Sequence, residues 1–371
     1  MVNSPPSDAR EQLVRAIESQ SEINGRYSQV KRLGANAGDG NFSLMFSARD
    51  GESGDEVCLK VYNILKQNDY REACFRRESG ILDALRGQPD ILPLVEAENK
   101  FTLPLKANGN EIPIPFSYLS TALARSDVRS HIYSAERKAL RDLEIFRALC
   151  RGLRRVHSEA ICHRDLKPAN FFLGPGNQIW LGDFGTARRL DGAEPPLLQD
   201  YGLMWRGDIR YTAPELLCGL DDDKLFFRGD LFSLGAILFE VFSQTLLTSY
   251  IYDQSFLANL RGTFDLIEPD ERTGMLHQLI PTIASARPLP SLRSVPNSVP
   301  PSIMPRIDRL YHGLANLDYR RRLCDFEAIF RELNICEQIL RKEKQYTAWL
   351  RQREVWRERA ETKAARRKSR Q

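Results

Sequence analysis

The segment from residue 163 to residue 185, HRDLKPANFFLGPGNQIWLGDFG, concentrates polar side chains that could act together. It contains Asp165, Lys167, Asn170 and Asp183. A site that transfers a phosphoryl group needs an acceptor for a hydroxyl proton, cations near the phosphates and oxygen ligands for Mg²⁺. Each requirement has a candidate here, because carboxylate and amide oxygens are hard ligands that suit Mg²⁺.

An isolated His-Arg-Asp would be read as a solvated turn. Ten matching positions in this 23-residue window, however, resemble the catalytic and magnesium loops of the eukaryotic-type protein kinase family, and the resemblance extends over about residues 27–330. It implies that Asp165 orients the attacking hydroxyl and takes its proton, and that Lys167 stabilises the γ-phosphate. It also implies that Asn170 and Asp183 hold Mg²⁺, with ATP as the phosphoryl donor.

A second lysine lies in EVCLKVY, which resembles the third strand of the family. By that resemblance, Lys60 binds the α- and β-phosphates and pairs with a carboxylate of the following helix. Glu78 in FRRESGILDAL is the predicted partner, and Glu72 on the same helix is the alternative. Cys58 and Phe172 would enclose the adenine by the same analogy, and would otherwise be read as core residues.

The glycine-rich loop, KRLGANAGDGNFSLMFSA, departs from the usual family string. Its register follows from counting back from the third-strand lysine. Gly38 and Gly40 are then the first two glycines, which let backbone N–H groups approach phosphate. Ser43 replaces the third glycine, Phe42 is the tip, and Met45 takes the place of the valine that covers the adenine. An ordinary glycine-rich hairpin is the alternative.

Two further segments resemble family elements on the substrate side. GDIRYTAPELL, residues 207–217, resembles the end of an activation segment, and DLFSLGAILFE begins at Asp230 like the buried helix beneath it. Arg322 in LDYRRRL corresponds to an arginine that forms a buried ion pair with Glu215. Small-molecule kinases generally lack these segments, so the resemblance implies a protein substrate. Lys167 favours serine or threonine as the acceptor.

One position departs from the family pattern close to the catalytic loop. Asp208 occupies the place of a threonine that contacts both the catalytic aspartate and the catalytic lysine. Its carboxylate is expected either to form a salt bridge with Lys167 or to repel Asp165 and raise a carboxylate pKa. The substitution puts constitutive activity in question.

The middle of the activation segment departs as well. Residues 183–215 contain no serine, and the threonines of this stretch lie near its ends. The sequence therefore offers no serine or threonine phosphate opposite Arg164, where the family usually places one. The hypothesis is that the segment is held by Asp200 or by phosphorylated Tyr201.

The residues before Ser120 predict a small sheet. YSQVKRL, SLMFSA and EVCLKVY are short apolar runs, and FTLPLK and EIPIPFSYL are joined by a turn at Asn108-Gly109. Prolines in the last two runs favour edge positions or bulges. One helix, around Tyr70 to Leu85, interrupts the strands. The prediction is a five-stranded antiparallel sheet with one helix.

Beyond Ser126 the apolar spacing becomes helical, and helix is again expected from about Phe326. Residues 281–305, with seven prolines, predict an extended loop between these stretches. The predicted fold class is α/β (α+β), a two-lobed protein-kinase fold with ATP between the lobes near Ser120 to Asp127. Its parts are an N-terminal flank (1–26), a small lobe (27–119), a larger helical lobe (120–335) and a basic helical tail (336–371).

The composition, 42% hydrophobic and 27% charged over 371 residues, is sufficient for a large core. No segment reaches the ~18 consecutive apolar residues of a membrane helix. The seven cysteines lack CxxC spacing and are read as reduced thiols. The expectation is a soluble, cytoplasmic protein.

The positive charge lies at the C-terminus, because residues 341–371 hold 12 Lys/Arg and 4 Asp/Glu while the whole chain has a net charge of +4. Three alternatives remain open for this tail. It is a solvated helix docked on the helical lobe by its aromatic stripe, a segment that binds an acidic partner or nucleic acid, or one that attaches to an anionic membrane surface.

Two other functions compete with a protein kinase. A pseudokinase, which binds nucleotide or a partner without transfer, is supported by Asp208 and Ser43. Inactive relatives, however, usually lack one of the residues found here as Lys60, Asp165 or Asp183. A small-molecule kinase is the other alternative.

Overall fold

The computed structural model describes residues 7–34, 43–66, 68–107, 110–135, 137–190, 207–220 and 223–368. Some of the candidates lie outside the described residues. These are Gly38, Gly40 and Phe42 of the glycine-rich loop, the Asn108-Gly109 turn, and Asp200 and Tyr201 of the hypothesised activation-segment contact.

Strands dominate the first third of the described chain and helices the rest, which confirms the predicted fold class. The strands are β1 (Glu22–Ile23), β2 (Tyr27–Arg32), β3 (Ser43–Asp50), β4 (Glu56–Tyr62), β5 (Leu94–Ala107), β6 (Asn110–Ala122), β7 (Ser126–Asp127), β8 (Ile161–Cys162), β9 (Phe171–Leu173), β10 (Ile179–Leu181) and β11 (Arg188–Arg189). The α-helices are α1 (Ser7–Glu18), α2 (Asp69–Ala84), α3 (Val128–Ile132), α4 (Ala139–Ser158), α5 (Pro214–Leu217), α6 (Asp223–Ser243), α7 (Thr248–Ile251), α8 (Gln254–Asp265), α9 (Arg272–Ala286), α10 (Met304–Leu314) and α11 (Phe326–Lys368).

The small lobe is built on an antiparallel sheet with strand order β1-β2-β3-β4-β6-β5. The sequence predicts five strands, and the structure has six. The additional strand is β1, which pairs Glu22 with Ser28 and Ile23 with Tyr27. Two residues are too few to give an alternating apolar pattern, so this strand could not be recognised from the sequence.

Helix α1 packs onto this sheet. Leu13, Val14 and Ile17 are at most 4% exposed and share a hydrophobic core with Tyr27 and Phe46. The segment that the sequence predicts as a flank therefore contributes to the core of the small lobe. The domain boundaries given above stay a prediction.

The prolines of the β5–β6 hairpin lie where a missing N–H costs little. Pro104 faces Pro113 in the register of the two strands. β4 pairs with β6 only from Tyr118 to Ala122, so Pro113 and Pro115 lie in the part of β6 that extends past β4. A proline in that part removes no hydrogen bond of the described β4–β6 ladder.

Strand β4 separates the two faces of the sheet. Val57, Leu59 and Val61 point into the core shared with α1, so the alternate residue Lys60 points to the other face. Helix α2 covers that side. Its N-cap is Asn68, whose side chain accepts a hydrogen bond from the backbone N–H of Arg71 at 2.8 Å. Strand alternation thus aims the lysine at the helix.

The helical lobe is organised around α6, an apolar helix that packs against α4 and α10. A Cβ atom on Gly235 of α6 would lie 2.7 Å from the backbone nitrogen of Ala315, just beyond α10. Glycine is therefore required for this close approach. The tight packing fixes α6, whose first half carries Asp230, beneath residues 163–170, the segment that resembles the catalytic loop of the family and that we call by that name.

One expectation for this lobe is wrong. The extended loop predicted to begin at residue 281 begins after α9, because that helix runs through Pro281 to Ala286. A proline within a helix removes one hydrogen bond and costs about 3 kcal/mol. The buried face formed by Leu276, Ile280 and Ile283 holds the helix together across the proline.

The predicted C-terminal helix is confirmed as α11, which begins at Phe326. Its first turns are buried through Ile329 and Leu333. Farther along, Tyr346, Trp349 and Trp356 are 61%, 49% and 58% exposed, so the alternative in which an aromatic stripe docks on the helical lobe is wrong. Among the helices described, none has the length and apolarity needed to cross a bilayer.

Candidate active site

The catalytic loop is held from below by Asp230, a buried residue of α6. Its carboxylate accepts hydrogen bonds from the backbone N–H groups of His163 and Arg164, each at 2.8 Å. His157 Nε2 lies 2.9 Å from the same carboxylate. Arg164 has a φ angle of 67°, a conformation that costs free energy in a non-glycine residue. Asp230 stabilises this turn and so fixes the next residue, Asp165.

Asp165 lies at the centre of a small network. Its Oδ2 accepts a hydrogen bond from Lys167 Nζ at 2.7 Å, and its backbone carbonyl accepts one from Asn170 Nδ2 at 2.8 Å. The backbone N–H of Asp208 donates to its Oδ1 at 2.6 Å. Burial raises the pKa of Asp165, Lys167 opposes this rise, and the nearby Asp183 adds to it. The result is an oriented carboxylate with an increased affinity for a proton.

Lys60 connects helix α2 to residues 182–185, the segment that resembles the magnesium loop of the family and that we call by that name. Its Nζ donates to Glu78 Oε2 at 2.5 Å and to Asp183 Oδ1 at 3.4 Å. Burial acts to lower the pKa of Lys60, but the two carboxylates outweigh it and raise the pKa, so the lysine stays charged. Glu72, the alternative partner, instead pairs with Arg76 on the same helix. Of the two glutamates, the structure brings Glu78 to the lysine.

Asp183 lies where the two lobes meet, which we call the cleft, because its carboxylate reaches Lys60 of the small lobe. Asp183 has a φ of 62°, and the next residue, Phe184, is fully buried beside the His163 ring at a centroid distance of 5.1 Å. His163 Nε2 lies 3.0 Å from the carbonyl oxygen of Gly182. With Phe184 anchored in the core, the Asp183 side chain stays 41% exposed at the cleft.

The donor set fits a magnesium ion bound together with phosphates. Burial acts to raise the pKa of Asp183. The nearby Lys60 and Lys167 outweigh this effect and hold the pKa below its usual value, so the carboxylate is ionised. Asn170 uses its amide nitrogen for Asp165, which leaves its Oδ1 to act as a ligand. No group of three or more His, Cys, Asp or Glu suited to a metal occurs in the described part of the chain. Mg²⁺ typically uses one or two protein ligands plus substrate phosphates, as this pair allows.

Arg77 is a residue that sequence reasoning missed. It is 6% exposed, and its Nη1 donates to the carbonyl oxygen of Gly185 at 2.7 Å, so it links α2 directly to the magnesium loop. A Cβ on Gly185 would lie 3.5 Å from Cys74, also on α2. Nothing in the sequence distinguishes Arg77 from a solvated charge on a helix. Its acceptor is a backbone carbonyl, which every residue has, so no particular residue type marks the partner.

The residues assigned to the adenine lie where the lobes meet. Met45 is directly opposite Lys60 in the β3–β4 ladder, and Cys58 is buried and opposite Thr121 of β6. Phe172 of β9 pairs with Asp127 of β7. The connection between the lobes thus runs from the end of β6 to β7, within the range expected from the sequence. Their roles toward adenine stay a prediction.

Glu215 and Arg322 form an ion pair with no exposed side-chain surface. The two guanidinium nitrogens of Arg322 reach the two carboxylate oxygens of Glu215 at 2.5 and 3.1 Å. Arg322 also donates to the backbone carbonyls of Asn316 and Arg228. The pair ties the end of the activation segment to the base of the helical lobe.

Asp208 adopts an arrangement that neither expectation described. Its carboxylate accepts a 2.8 Å hydrogen bond from Arg210 Nε and a second from Arg210 Nη2. Burial raises the pKa of Asp208, but the bonds from Arg210 outweigh it and hold the pKa below its usual range. The side chain thus turns to Arg210, while the backbone N–H holds Asp165. Lys167 bonds Asp165 and not this carboxylate.

Arg164 lies against the ring of Phe226, with its guanidinium carbon 4.7 Å from the ring centroid. Arg188 lies 5.4 Å from the same centroid. Ser43, the expected substitute for a third glycine, begins β3 and is fully buried. The proposed contacts of Arg164 with Asp200 or Tyr201 lie outside the described residues.

Comparison with known proteins agrees with this geometry. A family model described as the protein kinase domain matches residues 31–331. The chain belongs to the protein kinase family. In this kinase, the match includes every described residue of the cleft discussed above.

Individual relatives are serine/threonine kinases from distant organisms. Cyclin-dependent kinase D-1 of Arabidopsis thaliana is 25% identical over 299 residues, covering 80% of this chain and 68% of the relative. The RAF proto-oncogene serine/threonine-protein kinase of Xenopus laevis is 24% identical over 291 residues, covering 77% and 42%. The serine/threonine-protein kinase PknB of Mycolicibacterium smegmatis is 30% identical over 229 residues, covering 61% and 33%. The last two matches span less than half of the relatives' length.

Proposed function

We propose that this protein kinase transfers the terminal phosphoryl group of ATP, in a Mg²⁺-dependent reaction, to serine or threonine hydroxyls of protein substrates. The observation that carries the proposal is the convergence of two charge networks at one cleft. Glu78, Lys60 and Asp183 form one of them. Asp165 and Lys167 form the other.

The residues divide the work of positioning and proton transfer. Lys60, kept charged by its two carboxylates, would hold the nucleotide phosphates. Asp165 would accept a hydrogen bond from the substrate hydroxyl and take up its proton, since burial increases its proton affinity. Lys167 Nζ, 2.7 Å from Asp165, would lie beside the acceptor oxygen and stabilise its developing charge.

Asn170 and Asp183 would hold the metal. Bound Mg²⁺ would neutralise negative charge on the phosphate oxygens. Asp183 suits this role because its ionised side chain reaches the cleft, and Asn170 suits it because its amide nitrogen is fixed on the carbonyl of Asp165. The chain thereby positions one anionic and one neutral oxygen ligand.

A protein substrate is favoured by the segment at residues 207–217. The Glu215–Arg322 ion pair fixes its C-terminal end, and the backbone N–H of Asp208 binds Asp165. A polypeptide laid along this segment would therefore be in register with the catalytic carboxylate. Lys167 beside that carboxylate supports serine or threonine as the acceptor. A cytoplasmic location stays a prediction.

The test is transfer of radiolabel from ATP to a general protein substrate by the purified chain, with Mg²⁺ present. We expect label in the substrate, and its loss in Asp165→Ala and in Asp183→Asn, by about 10²–10⁴-fold. Nucleotide binding without transfer in the unmodified chain would instead support the pseudokinase. Label transferred only to small molecules would support the other alternative.

A further inference from the structure

The part of α11 beyond the helical lobe, residues 342–368, forms a separate surface that we call the tail helix. The Arg341–Glu144 ion pair, at 3.1 Å, joins the residue before the tail helix to helix α4 of the lobe. The following side chains, residues 342–346, are all exposed. At 1.5 Å per residue the tail helix is about 40 Å long, so it offers a surface with the length of a domain.

Its aromatic residues form an exposed stripe. The rings of Tyr346 and Trp349 lie 5.9 Å apart with an interplanar angle of 21°, and the Arg353 guanidinium lies 5.4 Å from the Trp349 ring centroid. Trp356 lies one helical turn beyond Arg353 and is 58% exposed. Large aromatic surfaces left in water over this length mark a binding surface.

Charge is arranged around the stripe in an ordered way. At about 100° per residue, the positions of Tyr346, Trp349 and Trp356 fall within a sector of about 80°, which also contains Lys342 and Arg353. Among the tail-helix residues whose side chains the structure describes, the acidic ones are Glu343 and Glu354. They fall within a sector of about 20°, whose centre lies about 110° from that of the aromatic stripe. In this described part of the tail helix, the aromatic face is therefore basic and carries no acidic residue.

We propose that the tail helix binds the surface of an anionic lipid bilayer through its aromatic face. A bilayer is flat, and a helix with a single stripe can lie along it. Tryptophan and tyrosine rings, which combine an apolar body with a polar tip, partition to the headgroup region. Lys342 and Arg353 flank the rings and face the anionic headgroups, which attract basic residues near the surface. Glu343 and Glu354 lie outside the sector of the helix that would face the lipid.

Nucleic acid fits this surface less well. Single-stranded nucleic acid is bound by stacking bases on open aromatic faces along a positively charged groove. Trp349 lies between Tyr346 and Arg353, so its faces are partly covered by this chain's own side chains. An isolated convex helix also provides no groove. The observations therefore favour a lipid surface over a nucleic acid.

The experiment is co-sedimentation of the full chain with vesicles. Phosphatidylcholine vesicles with about 30 mol% phosphatidylglycerol are compared with pure phosphatidylcholine vesicles, and a labelled single-stranded oligonucleotide is tested by fluorescence anisotropy. We expect binding to the anionic vesicles that weakens as salt rises from about 0.05 M to about 0.5 M, and little binding to the neutral ones.

Variants connect the binding to the stripe. Trp349→Ala combined with Trp356→Ala, and separately Arg353→Glu, are each expected to weaken vesicle binding by about tenfold or more. Leu266→Ala is the matched control, because Leu266 is 89% exposed at the C-terminal end of α8 and is not part of the tail helix. It should bind like the unmodified chain. Circular dichroism verifies that each variant keeps its helix content.

Three outcomes would overturn the proposal. The first is no binding to anionic vesicles, and the second is equal binding to neutral and anionic vesicles. The third is vesicle binding that both stripe variants retain. Binding to the oligonucleotide with none to vesicles is a case of the first and would assign the stripe to nucleic acid. None of these measurements depends on phosphoryl transfer, so the outcome is independent of the proposed kinase reaction.

Discussion

Two ion pairs, one at the cleft and one below it, show how the same chemistry serves different purposes. Lys60 is shared between Glu78 and Asp183, and the Asp183 side chain is 41% exposed. Arg322 and Glu215 are fully buried, and Arg322 also donates to backbone carbonyls. The first pair is open, being accessible from the cleft, so its charged groups could also bind the phosphates of a nucleotide. The second is closed and can only hold the fold.

Mutations at the two ion pairs should therefore affect different properties of the protein. Loss of one partner at the closed pair leaves a buried charge unpaired, so stability should fall. Loss of a partner at the open pair removes a charge needed for phosphates, so activity should fall first.

Arg322→Met should destabilise the protein by about 3–5 kcal/mol, because Glu215 would stay buried without its partner. Urea unfolding measures the change, and activity per folded molecule should change much less. Arg320→Met is the control, since Arg320 is a neighbour whose side chain is 46% exposed. A loss of activity without a loss of stability in Arg322→Met would contradict the purely structural role of this ion pair.

Lys60→Met should reduce kcat/KM by about 10²–10³-fold, equivalent to about 2.7–4 kcal/mol, because a preorganised cation at the phosphates is removed. Steady-state assays with varied ATP measure it. Lys31→Met on the exposed side of β2 serves as the control. An unchanged rate in the Lys60 variant would show that the open pair is merely structural.

Arg77→Gln should lower kcat/KM by about 10–100-fold, because a buried hydrogen bond from a charged group contributes about 1.5–3 kcal/mol. Its bond to Gly185 positions the magnesium loop, so a rise in the Mg²⁺ concentration needed for half-maximal rate should accompany the loss. Arg76→Gln, one residue earlier and 60% exposed, is the matched control. Equal effects in the two variants would contradict a positioning role for Arg77.

Acid should remove activity before it unfolds the protein. Burial raises the pKa of Asp165 above its ordinary value, so its proton-accepting form is lost at a higher pH than for an exposed aspartate. Below that pKa, kcat/KM should fall about tenfold per pH unit. A carboxyl whose pKa is raised by folding binds its proton more tightly in the folded state, so protonation of Asp165 favours folding. Rates and unfolding midpoints measured in the same buffers check this, and coincident losses would oppose it.

Asp208→Thr should change kcat/KM by less than about fivefold, because the partly exposed pair with Arg210 contributes only about 0–1 kcal/mol. The contact with Asp165 comes from the backbone N–H of Asp208, which the substitution retains. Arg210→Gln should have a similarly small effect. A gain or loss well beyond this range would mean that the Asp208 carboxylate acts on the catalytic network directly.

The sequence was sufficient to predict contacts in which both residues belong to segments that resemble protein kinase motifs. The Lys60–Glu78 and Glu215–Arg322 pairs are of this kind, because each partner is a charged residue in a motif of defined order. The change of apolar spacing near residue 126 indicated strands followed by helices, because periodicity is visible in a sequence. The two ion pairs and the two-lobed arrangement were implied by the resemblance to the protein kinase family.

The sequence could not predict contacts made with the backbone. The bond from Arg77 to the Gly185 carbonyl and that from the Asp208 N–H to Asp165 involve groups that every residue carries. Tertiary packing explains two other differences from the prediction. Helix α1 belongs to the core of the small lobe, and α9 continues through Pro281 because one of its faces is buried. Such outcomes depend on distant parts of the chain.

The most direct test uses three peptides that are identical except for a single serine, threonine or tyrosine acceptor. Phosphorylation by the purified chain is followed by mass spectrometry with ATP and either Mg²⁺ or excess EDTA. We expect Mg²⁺-dependent phosphate on the serine and threonine peptides, little on the tyrosine peptide, and none with Asp165→Ala. Phosphate transfer that persists in EDTA or in Asp165→Ala, or no transfer to any peptide or protein despite bound nucleotide, would contradict the proposed function.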